Sequence, residues 1–192
     1  CDPPYNIGKD FGTNRYKLEL DKYINWCNEW IKECIRILKP HGTFYIYGFS
    51  EILAFIRVQI PINVRWIVWH YTNKVVPRLN FWQRTHESIL CGYKKKPMFN
   101  KDLVREPYTK GFLKNAAGKV RKSTKGRFSK GTKETVYKAH PGGALPRDVI
   151  KISALAGGAG KKERVNHPTQ KPLALCDLSL IHISEPTRPS SI

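Results

Sequence analysis

The stretch LKPHGTFYIYG, residues 38–48, decides the fold class. Upstream of it, from Lys22 to Leu38, the residues Ile24, Cys27, Ile31, Cys34, Ile35 and Leu38 recur at helical spacing and form one buried stripe. Pro40 has no amide proton with which to continue that helix, and Gly42 permits the turn that follows. TFYIYG then replaces the helical period with an aromatic and β-branched run, the composition of a strand, closed by Gly48. Downstream, SEILAFIRVQI reads as a second helix with Ser50 as its N-cap and Pro61 as its stop. NVRWIVWHYTN (63–73) and HESILCGYK (86–94) read as two further strands. The order helix, strand, helix, strand, strand predicts an α/β fold, a sheet covered by helices.

Charge divides the 192 residues unevenly. The chain carries 34 Lys and Arg against 15 Asp and Glu, a formal +19. Such an excess repels itself in a compact state and points to an anionic partner, nucleic acid before a membrane or ribosomal surface. Between Lys94 and Lys138, fifteen Lys and Arg face three acids, Asp102, Glu106 and Glu134, so +12 of the +19 sits in this stretch. Tyr108, Phe112, Phe128 and Tyr137 are interleaved with it. A merely solvated linker would account for the charge but has no use for the aromatics. Its low apolar density predicts a loop-rich insertion ordered in part by its partner, with Lys119, Arg121, Lys122, Lys125, Arg127 and Lys130 as the phosphate-neutralising residues.

Several classes are excluded. No window holds the roughly 18 consecutive apolar residues of a membrane helix, and no basic segment followed by an apolar run opens the chain. The expected location is cytoplasmic. The five cysteines form no CxxC pair, which argues for reduced, mostly buried thiols and against a disulfide framework or a metal site. GGAG at 157–160 lacks the spacing and strand-to-helix setting of a phosphate-binding loop, and reads as a hinge.

Chemistry concentrates at two short segments. In DPPY, Pro3 and Pro4 fix their own φ and push the preceding residues into extended conformations, so Asp2–Tyr5 is stiff before any ligand arrives. An ordinary rigid turn would look the same. Yet the Asp2 carboxylate and the Pro3 carbonyl supply two acceptors, and Tyr5 supplies an aromatic plane. That set suits a planar group with two N–H donors, such as the exocyclic amine of adenine or cytosine. Accepting both protons localises the amine's lone pair and stabilises the positive charge that develops on nitrogen as it attacks a methyl group. HPTQKP at 167–172 is the second segment, a stiff turn before a helix starting near Pro172, whose first amides suit a carboxylate. Standing alone it would be a surface helix cap.

Taken in order, DPPYN, LKPHGTFYIYG, RTHESILCGYKK, a basic insertion and HPTQKP resemble the amino-DNA methyltransferases of the β circular arrangement. The resemblance covers about residues 1 to 178. It implies a Rossmann-like methyltransferase sheet, here partial, S-adenosylmethionine as methyl donor, double-stranded DNA as partner, and methylation of a flipped adenine at N6. Cytosine N4 is the alternative, and Asp rather than Ser before PPY points to adenine. It assigns Asp2, Pro3, Pro4 and Tyr5 to the target amine, and His167, Thr169, Gln170 and Lys171, with Pro172 beside them, to the donor side. Asn6 shapes the loop after the motif, and His86 and Glu87 are structural or gating residues. The implied organisation is a catalytic part at 1–93, a target-recognition insertion at 94–154, a donor-side return at 155–178 and a tail at 179–192. That tail, ending in SEPTRPSSI, has no helix or strand period and reads as translated adapter sequence. The family's glycine-rich donor loop is not found after HPTQKP, which predicts an interior fragment, inactive alone. A cognate restriction endonuclease accompanies some enzymes of this type and not others. Competing readings are a non-catalytic basic nucleic-acid-binding module and a methyltransferase acting on RNA or protein amides, since related N-P-P-Y motifs serve both.

Overall fold

Helix α1 (Leu20–Ile37) forms where the apolar stripe predicts it, with Tyr23, Ile24, Cys27 and Ile31 buried. In this computed structural model, which describes residues 1–8, 17–73, 80–127, 130–158, 160–167 and 169–181, the chain then turns at Lys39–Gly42 and enters β1 (Thr43–Gly48). α2 (Ser50–Arg57) follows, then β2 (Asn63–His70) and β3 (His86–Tyr93). The strand and helix bounds fall close to those read from periodicity. The predicted N-cap does not: Phe49 occupies that position and no side chain caps α2. Ser50 Oγ lies instead 2.7 Å from Ser88 Oγ and 3.3 Å from His86 Nε2. Ser88 is fully buried and also accepts the Trp66 indole N–H at 3.0 Å, so its hydroxyl group needs these partners more than the exposed helix end needs a cap.

The sheet order is β1-β3-β2-β6, where β6 is Val149–Lys151. β3 runs antiparallel to both β1 and β2, and β6 adds in parallel to β2. Its two faces bury different clusters because successive side chains alternate across a strand. Phe44, Ile46 and Leu90 pack with Tyr23, Cys27, Ile31, Leu53 and Ile56 of α1 and α2. Tyr47, Ile89 and Trp69 pack on the other face with Ala154 and with Leu175 of α4 (Leu173–Leu180). The sheet is therefore covered on both sides, as the α/β reading requires. The five cysteines are free thiols. Among the described residues no helix is long and apolar enough to cross a membrane, and no group of side chains is arranged to hold a metal ion.

The chain divides into two compact units, one of Cys1–Phe99 with Asp148–Ile192 and a second of Asn100–Arg147. Residues 94–99 and 148–154, which the sequence reading places in the insertion, go with the first unit, the latter because β6 pairs with β2. The second unit holds a short 3-10 turn, α3 (Lys110–Asn115) and a hairpin of β4 (Val120–Lys122) and β5 (Glu134–Val136). Tyr108 stacks on Phe112 with ring centroids 4.6 Å apart, and Thr109 caps α3 by accepting the Phe112 amide.

Candidate active site

The DPPY segment is held against the free edge of the sheet. The Cys1 nitrogen donates to Tyr45 O at 2.7 Å and the Tyr47 amide donates to Cys1 O at 2.9 Å, so the chain leaves β1's edge directly into Asp2. The Tyr23 hydroxyl of α1 donates to the Pro4 carbonyl and fixes the middle of the segment. Asn6 then takes φ = 57°, the left-handed region, and its side chain clamps Leu18 at both ends: Nδ2 donates to Leu18 O at 2.9 Å and Oδ1 accepts the Leu18 amide at 2.6 Å. Among the described residues, no donor meets the Pro3 carbonyl.

Tyr5 is fixed at its edge and at its tip. Phe49 packs edge-on to its ring at 5.0 Å, and Phe49 is itself covered by the Arg84 guanidinium, 4.3 Å from the ring centre. Arg84 is anchored to Glu51 by two hydrogen bonds of 3.1 and 2.6 Å, which hold the Glu51 carboxyl below its ordinary range. The Tyr5 hydroxyl lies 3.0 Å from both Asp2 Oδ1 and Glu87 Oε2. Burial first, and then the negative charges of Glu87 and Asp2, push this phenol far above its ordinary pKa, so it remains a hydrogen-bond donor.

The opposite wall comes from the segment before α4. Gln170 Oε1 accepts the Val165 amide at 2.8 Å and its Nε2 donates to Glu163 O at 2.8 Å, which ties this loop together. The Thr169 amide donates to His167 Nδ1 at 3.3 Å. At the start of α4 the Leu173 amide donates to Glu163 Oε1, so a carboxylate from the chain itself takes the place the sequence reading offers to a ligand. Lys171 extends inward, its side chain only 9% exposed. Its Nζ lies 3.2 Å from Glu87 Oε2, 3.5 Å from Asp2 Oδ1, 4.8 Å from the Tyr5 ring centre and 5.9 Å from that of Trp69.

Asp2, Pro3, Pro4, Tyr5, Ile7, His167, Thr169 and Lys171 line one cleft of about 290 Å³. All four residues assigned to the amine are present, with three of the four assigned to the donor. Gln170 is not, because both ends of its amide are spent on the loop. Asp2 is not the free acceptor that the sequence suggested, since Tyr5 and Lys171 both reach its Oδ1.

A family model described as DNA methylase, of the N6/N4 type, matches residues 1–188. The chain belongs to the DNA methylase family. It is similar to the type II methyltransferase M.HpaI of Haemophilus parainfluenzae, 33% identical over 189 residues, covering 94% of this chain and 51% of that protein. The DNA adenine methyltransferase YhdJ of Escherichia coli K12 is 32% identical over 192 residues, covering 97% of this chain and 60% of YhdJ. The chain thus spans between half and three-fifths of the length of these relatives. Among solved structures, the PvuII DNA methyltransferase (cytosine-N4-specific) superimposes with a TM-score of 0.57 at 14% identity, over 96% of this chain and 62% of that one, a likeness of fold. The mixed sheet and its helices are those of the Rossmann-like methyltransferase fold.

Within this DNA methylase chain, the candidate phosphate-binding residues lie on the second unit. Arg121 and Lys122 are on β4, and Lys125, Arg127 and Lys130 are exposed on the β4–β5 connection. Lys119 Nζ donates to Lys114 O and Arg121 to Asn115 O, both at the end of α3, while Lys122 lies 3.7 Å from Glu134 across the hairpin. Phe128 and residues 182–192 of the tail lie outside the described residues. Glu87, read from the sequence as structural or gating, contacts both the Tyr5 hydroxyl and Lys171 Nζ. Its signal was an acid at the head of a buried strand, within THE, where a solvated role is hard to sustain.

Proposed function

We propose that this chain carries the target-base pocket of a DNA amino-methyltransferase and that the base is adenine, methylated at N6. The observation that carries the reading is the shared cleft: DPPY, from one end of the sequence, and His167, Thr169 and Lys171, from the other, line the same space of about 290 Å³. The Asp2 carboxylate and the Pro3 carbonyl accept the two N–H bonds of the amine, which concentrates its lone pair on nitrogen. Those bonds strengthen as positive charge develops there, so they favour the transition state over the bound base. The ring of Tyr5 receives the base face. Stacking returns part of the few kcal/mol needed to draw the base out of double-stranded DNA.

S-adenosylmethionine, the donor this family implies, supplies an electrophilic methyl group when bound. A volume of about 290 Å³ matches the smallest small-molecule sites, about 300 Å³. That fits the amine edge together with one side of the donor, which His167 and Thr169 would hold. The exposed basic hairpin of the second unit supplies phosphate contacts, which makes DNA affinity steeply salt-dependent.

Adenine is favoured by the aspartate of DPPY and by the similarity to a protein named as a DNA adenine methyltransferase. Cytosine N4 is the second reading, because Asp2 and Pro3 meet any amine of this geometry. The test is digestion of DNA exposed to the full-length gene product, followed by mass spectrometry of the nucleosides. N6-methyladenine is expected. N4-methylcytosine alone would transfer the reading to the second base, and no methylated nucleoside would end it.

A further inference from the structure

Lys171 meets both requirements that the proposed pocket sets for a target amine. It brings N–H donors to 3.5 Å from Asp2 Oδ1, and it lies over the Tyr5 ring at 4.8 Å from its centre. An extruded base needs the same carboxylate and the same aromatic face. The Lys171 side chain is 9% exposed and Glu87 13%, so the ammonium cannot simply move to water once an amine arrives. Glu87 Oε2 stands 3.2 Å from Nζ, nearer than Asp2, and also 3.0 Å from the Tyr5 hydroxyl. Both groups that touch Asp2 therefore have a second acceptor in common.

We propose that Lys171 is a resident competitor for the target amine and that Glu87 is the positioning residue that takes it over, together with the Tyr5 hydroxyl, when the amine claims Asp2. This rests on the base-pocket reading above. In the exchange Asp2 gives up two donors and gains the amine's, and Glu87 keeps the ammonium paired, so no buried charge is left alone at any stage. Removing the charge of Glu87 leaves Asp2 as the sole anion for Lys171 among the residues it contacts, and the base must then displace a fully committed ion pair.

The test uses the full-length gene product without methyl donor, on a duplex bearing its methylated sequence with 2-aminopurine beside the target adenine. Fluorescence rises as that adenine leaves the stack. Glu87→Gln keeps an oxygen for the Tyr5 hydroxyl but removes the charge, and capture of the adenine should weaken roughly tenfold, the worth of one hydrogen bond to a charged group. Affinity for a duplex lacking the sequence should not change. Adding Lys171→Met to Glu87→Gln should restore capture, since no ammonium is left to compete. Lys171→Arg keeps the charge yet grips Asp2 through two N–H bonds, and should weaken capture as well. Unchanged capture in Glu87→Gln or Lys171→Arg, or a double variant worse than Glu87→Gln, overturns the proposal while native capture and methylation leave the base-pocket reading standing. Native protein that neither captures nor methylates any base of the duplex overturns both.

Discussion

Asn6 fixes where the base pocket ends, because a left-handed residue there reverses the chain and two side-chain hydrogen bonds to Leu18 hold the reversal. A side chain with a Cβ pays about 1–2 kcal/mol for that backbone conformation, which Asn offsets and Ala does not. Asn6→Ala should lower stability by about 2 kcal/mol, and Asn6→Gly, which loses the hydrogen bonds but not the backbone freedom, by less. Chemical denaturation of the three proteins checks the order, and equal losses would show that the backbone conformation contributes nothing. At this scale DPPY was legible because two prolines impose stiffness locally and Asp and Tyr can be read for chemistry one by one. The engagement of Asp2 by Tyr5 and Lys171 was not, because it depends on two residues brought together from 169 positions apart. Glu87 escaped for the same reason: its partners, Tyr5 and Lys171, come from both ends of the sequence.

The elements β1 and β3 approach closely because Gly92 stands opposite Phe44, and a Cβ at position 92 would come within 2.4 Å of the Phe44 ring. Phe44 is buried in the α1 and α2 cluster and has little room to withdraw. Gly92→Ala should therefore cost about 2 kcal/mol by overpacking, and a second change, Phe44→Leu, should recover part of it. Thermal or chemical unfolding of the single and double variants decides this, and additive losses would mean that the two residues do not crowd each other. Helices and central strands were legible because a stripe of Ile and Cys or a run of aromatics has a period that packing preserves. Three-residue strands carry no period, so β6, inside RDVIKIS, is not legible in the sequence and falls within the bounds read for the insertion. Ser50 failed as an N-cap because capping rules weigh only the local backbone, whereas buried Ser88 required its hydroxyl.

Across the whole molecule, burial governs five tyrosines. Tyr5, Tyr23, Tyr45, Tyr47 and Tyr71 all have pKa values raised by desolvation first, with the Glu87 carboxylate adding to it at Tyr5 and Tyr71 and a neighbouring thiol adding to it at Tyr23, Tyr45 and Tyr47. Folded values above the unfolded value of about 10 mean that this contribution to stability is complete below pH 10 and is lost as pH rises beyond it. The phenols should ionise together, in step with loss of circular dichroism, in an alkaline absorbance titration. Ionisation of all nine tyrosines near pH 10 in a folded protein would contradict the burial described. The net charge of +19 was legible as a sign of an anionic partner, since composition needs no fold. If the cleft grips the target amine through Asp2, the Asp2→Ala variant of the full-length gene product separates methyl transfer from DNA binding. Methyl transfer to DNA and DNA affinity should be measured side by side. Affinity should stay within about threefold, less than the worth of one hydrogen bond, while methylated adenine disappears if Asp2 holds the amine. Methyl transfer that survives Asp2→Ala would contradict it.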